Sequence, residues 1–319
     1  VHYRAFESQS MVMVNEAAAL CQSPSVAQLE EVRSAWWAAR TPWKNAEVVQ
    51  FGPITEYPER VGPKLDDWPV NERAVEDRIF SDDELTLEAY RNYGTATRGL
   101  PVVEYLIWGS GDETLSLFEA EPRRCEMLAA VTEDIHASAA YLVELWTEDW
   151  YDQLRGQEEG EWLVFKEPKD VVDEWVNHMV FTAENIRETK LGKPAGDRFN
   201  GTPQPDLLES RFSARSLQDA MDALVGVQYV WTGDAEGDHL GIRDLVRDDP
   251  DLVARVDALF ADTITRLGDV PETLEDTVID QPEIIDRAQN ALAELQKILQ
   301  IEVAAHIGIV VGFNPNDGD

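Results

Sequence analysis

Apolar residues recur at helical spacing along most of this chain, and strand-type alternation is nearly absent. Between Glu119 and Trp150, Leu128, Val131, Ile135, Leu142 and Leu145 fall on one stripe with Asp and Glu between them, which predicts a long amphipathic helix. Near the C-terminus Ile284, Ala288, Ala291, Leu295 and Ile298 repeat the spacing. Ile285, Leu292 and Leu299 widen that face, as expected of a helix packed on more than one neighbour. Further helices are predicted from Ser25 to about Gln50, from Lys169 to Leu191, from Ser216 to Thr232 and from Pro250 to Leu267. Pro and Gly punctuate the connections, notably from Gly52 to Pro69 and from Gly192 to Pro205. Such a list of helices fits an all-α fold of bundles.

An internal echo suggests two such bundles. Leu100, Val103, Tyr105 and Gly109 in GLPVVEYLIWG recur at a constant offset as Leu224, Val227, Tyr229 and Gly233 in ALVGVQYVWTG. The expected organisation is two four-helix up-down domains related by duplication, residues 1–195 carrying the GLPVVE segment and residues 196–319 following. The stretch KPAGDRFNGTPQP would link them, and the C-terminal tail would pack where they meet. Each Tyr-x-x-x-Gly is expected to end a helix on a glycine in the left-handed conformation.

Charge narrows the partners. There are 62 Asp+Glu against 27 Lys+Arg, a formal net charge of −35. A field of that sign repels phosphate backbones and anionic lipid surfaces, so nucleic acid is not an expected partner. A hydrophobic share of 44% with ten Trp is too rich for a disordered acidic chain. No apolar run approaches the roughly 20 residues that span a bilayer. Cys21 and Cys125 form no metal-type CxxC; they either pair in an oxidising compartment or stay as two separate thiols.

Five histidines limit metal chemistry. Glu133 and His136 have the Glu-x-x-His spacing of half a di-iron site, but no second such pair exists. Glu174 with His178 and Glu302 with His306 have the i,i+4 spacing, which also suits a helix ion pair. His239 lies among Asp234, Glu236 and Asp238, where a solvated turn is expected. There is neither an HExxH nor a Gly-x-Ser-x-Gly elbow. No catalytic residue and no metal-ligand set is therefore assigned.

The segments that depart from a generic acidic surface are few. In ATRGLPVVEYLIWG, Arg98 and Glu104 bracket an apolar stretch, and Pro101 fits the first turn of a helix. The two charges either pair with each other or meet a ligand. In SAWWAARTPW, Trp36 and Arg40 are spaced to stack a guanidinium on indole, with Trp43 close behind. In ESRFSARSL, Ser213 or Ser216 is placed to cap the next helix, while Arg211 and Arg215 either hold an anion or pair with acids.

Together these segments resemble the imelysin family of insulin-cleaving-peptidase-like envelope proteins. The resemblance rests on the Trp36–Arg40–Trp43 helix with QFGP after it, RGLPVVEYLIWG, RFSARSL, and VVGFNPNDGD from Val310 to Asp319. It implies two helical bundles and either export to the periplasm or, through a lipid anchor upstream of Val1, attachment as an outer-membrane lipoprotein. It also implies a functional site where the domains meet and an association with iron acquisition. The family motif is Gly-x-His-x-x-Glu, taken to bind metal in its peptidase members. This chain keeps Gly99 and Glu104 but has Pro101 at the His position, and Pro has no donor to offer a metal. What the resemblance implies is then a non-peptidase binding protein with an iron-uptake-related or small-ligand role. Its expected ligand contacts are Arg98, Gly99, Pro101, Glu104, Ser213, Arg215, Ser216 and Asp317, beside Asn314 and Asp319. The partner would be a small ligand or a metal ion such as iron or zinc. The alternatives are a metallopeptidase-like enzyme with a relocated ligand, His306 or His136, and a structural or interaction protein of the envelope.

Overall fold

A computed structural model describes residues 1–55, 60–150, 165, 167–233, 239–271, 273–309 and 311–312, the side chains of 53 and 149 excepted. Among these residues the chain is helical with no strand. The helices that matter here are α1 (His2–Gln22), α2 (Val26–Asn45), α3 (Glu72–Ile79), α4 (Leu100–Trp108), α5 (Pro122–Glu144), α6 (Pro168–Asn185), α7 (Ser216–Thr232), α8 (Pro250–Gly268), α9 (Leu274–Asp280) and α10 (Pro282–Ile298). Residues continue α5, α6 and α10 as wider π turns over Leu145–Asp149, Ile186–Gly192 and Leu299–Val303.

The chain forms two compact units that are not successive halves. Unit 1 comprises Val1–Trp43, Gln50–Thr147 and Glu209–Arg215, and unit 2 comprises Lys44–Val49, Glu148–Leu208 and Ser216–Asp319. The chain passes between them five times, inside α2 at 43/44, at 49/50, at 147/148, and on either side of the short segment Glu209–Arg215. A boundary at 195/196 runs through unit 2.

In unit 1, α1 and α5 run antiparallel, because Tyr3 meets Trp146, Ser10 meets His136 and Cys21 meets Cys125. The face that α1 buries is Tyr3, Phe6, Ser10, Met13, Ala17 and Leu20, alternating steps of three and four as two long helices in register require. On α5 the predicted Leu128, Val131, Ile135 and Leu142 are buried, together with Asp134. Cys21 and Cys125 form a disulfide, which fastens the end of α1 to the start of α5. The start of α5 also follows its sequence: Pro122 sits in the first turn and Glu121 accepts the Arg123 N–H at 3.2 Å.

In unit 2, α6, α7, α8 and α10 share one core, with Val176, Met179, Leu224, Trp231, Phe260, Leu267, Leu292 and Leu295 all buried. The widened face predicted for α10 is buried, Ile284, Ile285, Ala288, Leu292 and Leu295 included. The 193–205 stretch lies within this unit instead of linking the two. Gly196 and Gly201 take positive φ and fold it back, so that Gln204 N–H donates to the Pro194 carbonyl at 2.7 Å. The two Tyr-x-x-x-Gly tails also differ. Both glycine N–H groups bond back to their tyrosine carbonyls, at 2.8 Å for Gly109 and 2.9 Å for Gly233. Only Gly233 is left-handed (φ 72°); Gly109 keeps φ −60° and leads into another turn through Gly111, at φ 54°.

Candidate functional site

The segment before α4 is dictated by a close backbone approach. Gly99 has φ 78° and ψ −161°, and a Cβ there would lie 2.2 Å from the Leu65 carbonyl oxygen. Only glycine reaches that conformation and tolerates that contact. Pro101 occupies the first turn of α4, as predicted, and every residue from Leu100 to Ile107 is buried. Glu104 is 1% exposed, one turn inside the helix. Its Oε1 accepts from the Ser213 N–H at 2.9 Å and from the Ser213 Oγ–H at 2.7 Å. A carboxylate taken out of water requires donors of this kind.

Arg98 does not pair with Glu104. Its Nη2 donates to Asp134 on α5 at 2.6 Å and its Nη1 to the Arg91 carbonyl at 3.0 Å. Arg91 adds a second cation to Asp134, with Nε at 3.2 Å. Tyr90 closes this corner, its hydroxyl accepting the Gly99 N–H at 3.2 Å. Burial, and then the charge of Asp134, push the Tyr90 hydroxyl well above the usual phenol range, so it stays neutral.

The tryptophan-arginine helix behaves as its spacing predicts. The Arg40 guanidinium lies 5.4 Å from the Trp36 ring and forks to Asp66 at 2.6 Å and Glu209 at 3.0 Å. Trp43 Nε1–H donates to the other Asp66 oxygen at 2.7 Å, and Trp36 Nε1–H to the Leu100 carbonyl at 3.0 Å. Arg215, fully buried, donates to Thr41 Oγ1 at 2.6 Å and sits 5.1 Å from the Trp37 ring. Arg211 pairs with Glu72 and lies against Phe212.

Between these anchors the Ser210–Arg215 turn is strained. Ala214 takes φ 55°, and the Arg215 N–H reaches back to the Ser210 carbonyl at 3.1 Å. A left-handed non-glycine residue costs about 1–2 kcal/mol, partly offset by the smaller chain entropy of Ala against Gly. Ala214 is solvent-exposed, so Ala214→Gly is expected to raise the unfolding free energy by about 0.5–1 kcal/mol in urea denaturation.

Thus Arg98, Gly99, Pro101, Glu104, Ser213 and Arg215 all fall in unit 1. Within it, Glu104 and Ser213 bond directly, while Arg98 turns to Asp134. Ser216 begins α7 in unit 2, where its Oγ–H donates to Glu275 at 2.9 Å. Burial raises the Glu275 carboxyl above its ordinary range. Asp317, Asn314, Asp319 and the Asp234–Asp238 acids lie outside the described residues. Asp66, Asp134 and Glu209, which organise the buried arginines, have no local signal in a chain with 62 acids.

The family model of Imelysin matches residues 2–300. The chain belongs to the imelysin family. It is 24% identical over 292 residues to "Iron-regulated protein A" of Synechococcus elongatus, covering 88% of this chain and 76% of that protein. Its fold is similar to a crystal structure described as a putative iron-regulated protein A precursor from Parabacteroides distasonis. There the TM-score is 0.82 at 19% identity, over 96% of this chain and 90% of that one. An imelysin-like protein from Psychrobacter arcticum is similar with a TM-score of 0.79 at 17% identity, over 98% and 92% of the two chains.

The metal associated with the imelysin motif does not fit this donor set. Pro101 is buried and has no side-chain donor, and Oε1 of the buried Glu104 already accepts two hydrogen bonds from Ser213. Three of the five histidines are engaged elsewhere: His136 Nδ1 with Ser10 Oγ at 3.0 Å, His178 with Glu174 at 3.2 Å and His306 with Asp248 at 2.9 Å. Glu302 pairs with Arg255, not with His306. Among the described residues no group of three or more His, Cys, Asp or Glu is placed to hold a metal ion.

Proposed function

We propose that this imelysin is a binding protein of the cell envelope, serving iron uptake or holding a small ligand, and not a peptidase. The observation that carries this is Pro101 in the first turn of α4, beside a Glu104 already engaged by Ser213. A peptidase built on the family motif needs an imidazole there to bind the metal directly and a carboxylate able to turn to it. The neighbourhood of the ligand is proposed as the Arg98–Glu104 and Ser213–Arg215 segments of unit 1. The Cys21–Cys125 bridge suits an oxidising compartment, which supports the periplasmic or lipoprotein location. The iron connection is supported by the name of the Synechococcus relative.

Thermal denaturation in the presence of ferric and ferrous iron, haem, small carboxylates and peptides tests the reading. One of these is expected to raise the melting temperature saturably, since selective native-state binding at a hundredfold excess over Kd adds about 2.7 kcal/mol. No shift with any of them would favour a purely structural envelope protein. Stoichiometric zinc in protein purified without chelator, with metal-dependent cleavage, would establish the enzyme instead.

A further inference from the structure

The strained Ser210–Arg215 turn, the doubly donating Ser213 and the buried Glu104 belong to one arrangement. Ala214 is held left-handed without glycine's help, so the residues on either side must restrain it. On one side Arg215 is fully buried on Thr41 and Trp37. On the other, Ser213 gives both its backbone N–H and its hydroxyl to the same oxygen of Glu104. Two donors from one residue onto one carboxylate oxygen fix the position of that residue's backbone, which a single side-chain contact does not.

We propose that Glu104 is a positioning residue in this chain. Through Ser213 it holds the Ser210–Arg215 turn and thereby sets Arg215 against α2, a task that replaces cation ligation. The inference rests on the same segments as the binding reading above and deepens it: any cation in the ligand is met by groups other than Glu104. What the turn needs from position 104 is an acceptor oxygen in the right place. A metal site would need the negative charge.

That difference separates the roles. Amide hydrogen exchange over residues 209–216 is to be compared in the wild type, Glu104→Gln, Glu104→Leu and Ser213→Ala, beside calorimetric titration of wild type and Glu104→Gln with ZnCl2 and, anaerobically, FeSO4. Glutamine keeps the acceptor, so Glu104→Gln is expected to stay within a few-fold of wild-type exchange. Glu104→Leu is expected to exchange about 10- to 100-fold faster in this segment, and Ser213→Ala up to about tenfold faster. The metal isotherms of wild type and Glu104→Gln are expected to coincide. Exchange in Glu104→Gln as fast as in Glu104→Leu overturns the proposal, as does metal binding that Glu104→Gln abolishes. Should Glu104→Leu fail to fold, Ser213→Ala decides, since unchanged exchange there also overturns it. None of these outcomes depends on the ligand screen, so the two readings fail separately.

Discussion

Replacing Cys21 and Cys125 together by serine is expected to lower the unfolding free energy by about 4–5 kcal/mol. The bridge joins residues 104 apart in sequence. In the chain-entropy account, a closed loop of that size removes about 4.7 kcal/mol of freedom from the unfolded chain at 25 °C. The enclosed loop holds α2, α3 and α4, and with them Arg40, Asp66, Arg98, Gly99 and Glu104, so loosening it loosens the whole frame of the candidate site. Both cysteines are only partly buried, and serine adds no buried hydroxyl large enough to obscure the entropic effect. Urea denaturation of the wild type, with and without a reductant, and of the double variant checks this. Reduction of the wild type should reproduce the variant's loss. A loss under about 1 kcal/mol would mean that the packed α1–α5 pair persists in the unfolded ensemble and already restrains the loop.

How much of this could be read from the sequence depended on whether a residue's partner is local. The stripe of α5 and the widened face of α10 follow from spacing alone, because a helix repeats its own geometry. The Arg40 stack on Trp36 is likewise set by i,i+4 spacing. By contrast α1 was not predicted. Its stripe runs through Ser10 and Ala17, which dilute the apolar signal that Tyr3, Phe6, Met13 and Leu20 would otherwise give. Long-range pairing left no trace in the local pattern either. Glu209 reaches Arg40 across 169 positions and Ser213 reaches Glu104 across 109. The choice of Asp134 over Glu104 as the partner of Arg98 depends on where α5 passes, which no spacing within ATRGLPVVE encodes. Gly99 was visible as a motif residue, but its reason, the Leu65 carbonyl pressed against it, lies 34 residues back along the chain.

The second large effect is expected at Arg40. Its guanidinium is 1% exposed and joins Asp66 and Glu209, whose side chains are 4% and 1% exposed. Arg40→Met fills similar space, yet it leaves two carboxylates out of water with their shared cation removed. Removing one partner of a buried ion pair typically costs about 3–5 kcal/mol, mostly as the penalty on the charges left behind. Arg40→Lys is expected to lose less, because the charge remains, but an ammonium cannot fork to two carboxylates or stack on Trp36 as a planar guanidinium does. Adding Asp66→Asn and Glu209→Gln to Arg40→Met should return a large part of the deficit, since the stranded charges are then gone. Urea midpoints and slopes for the three variants settle the matter. If the triple variant is no more stable than Arg40→Met, the loss comes from packing against Trp36 and not from the buried acids. If it recovers, the charge of Arg40 is what keeps Asp66 and Glu209 stable out of water, in a chain where cations are outnumbered more than two to one.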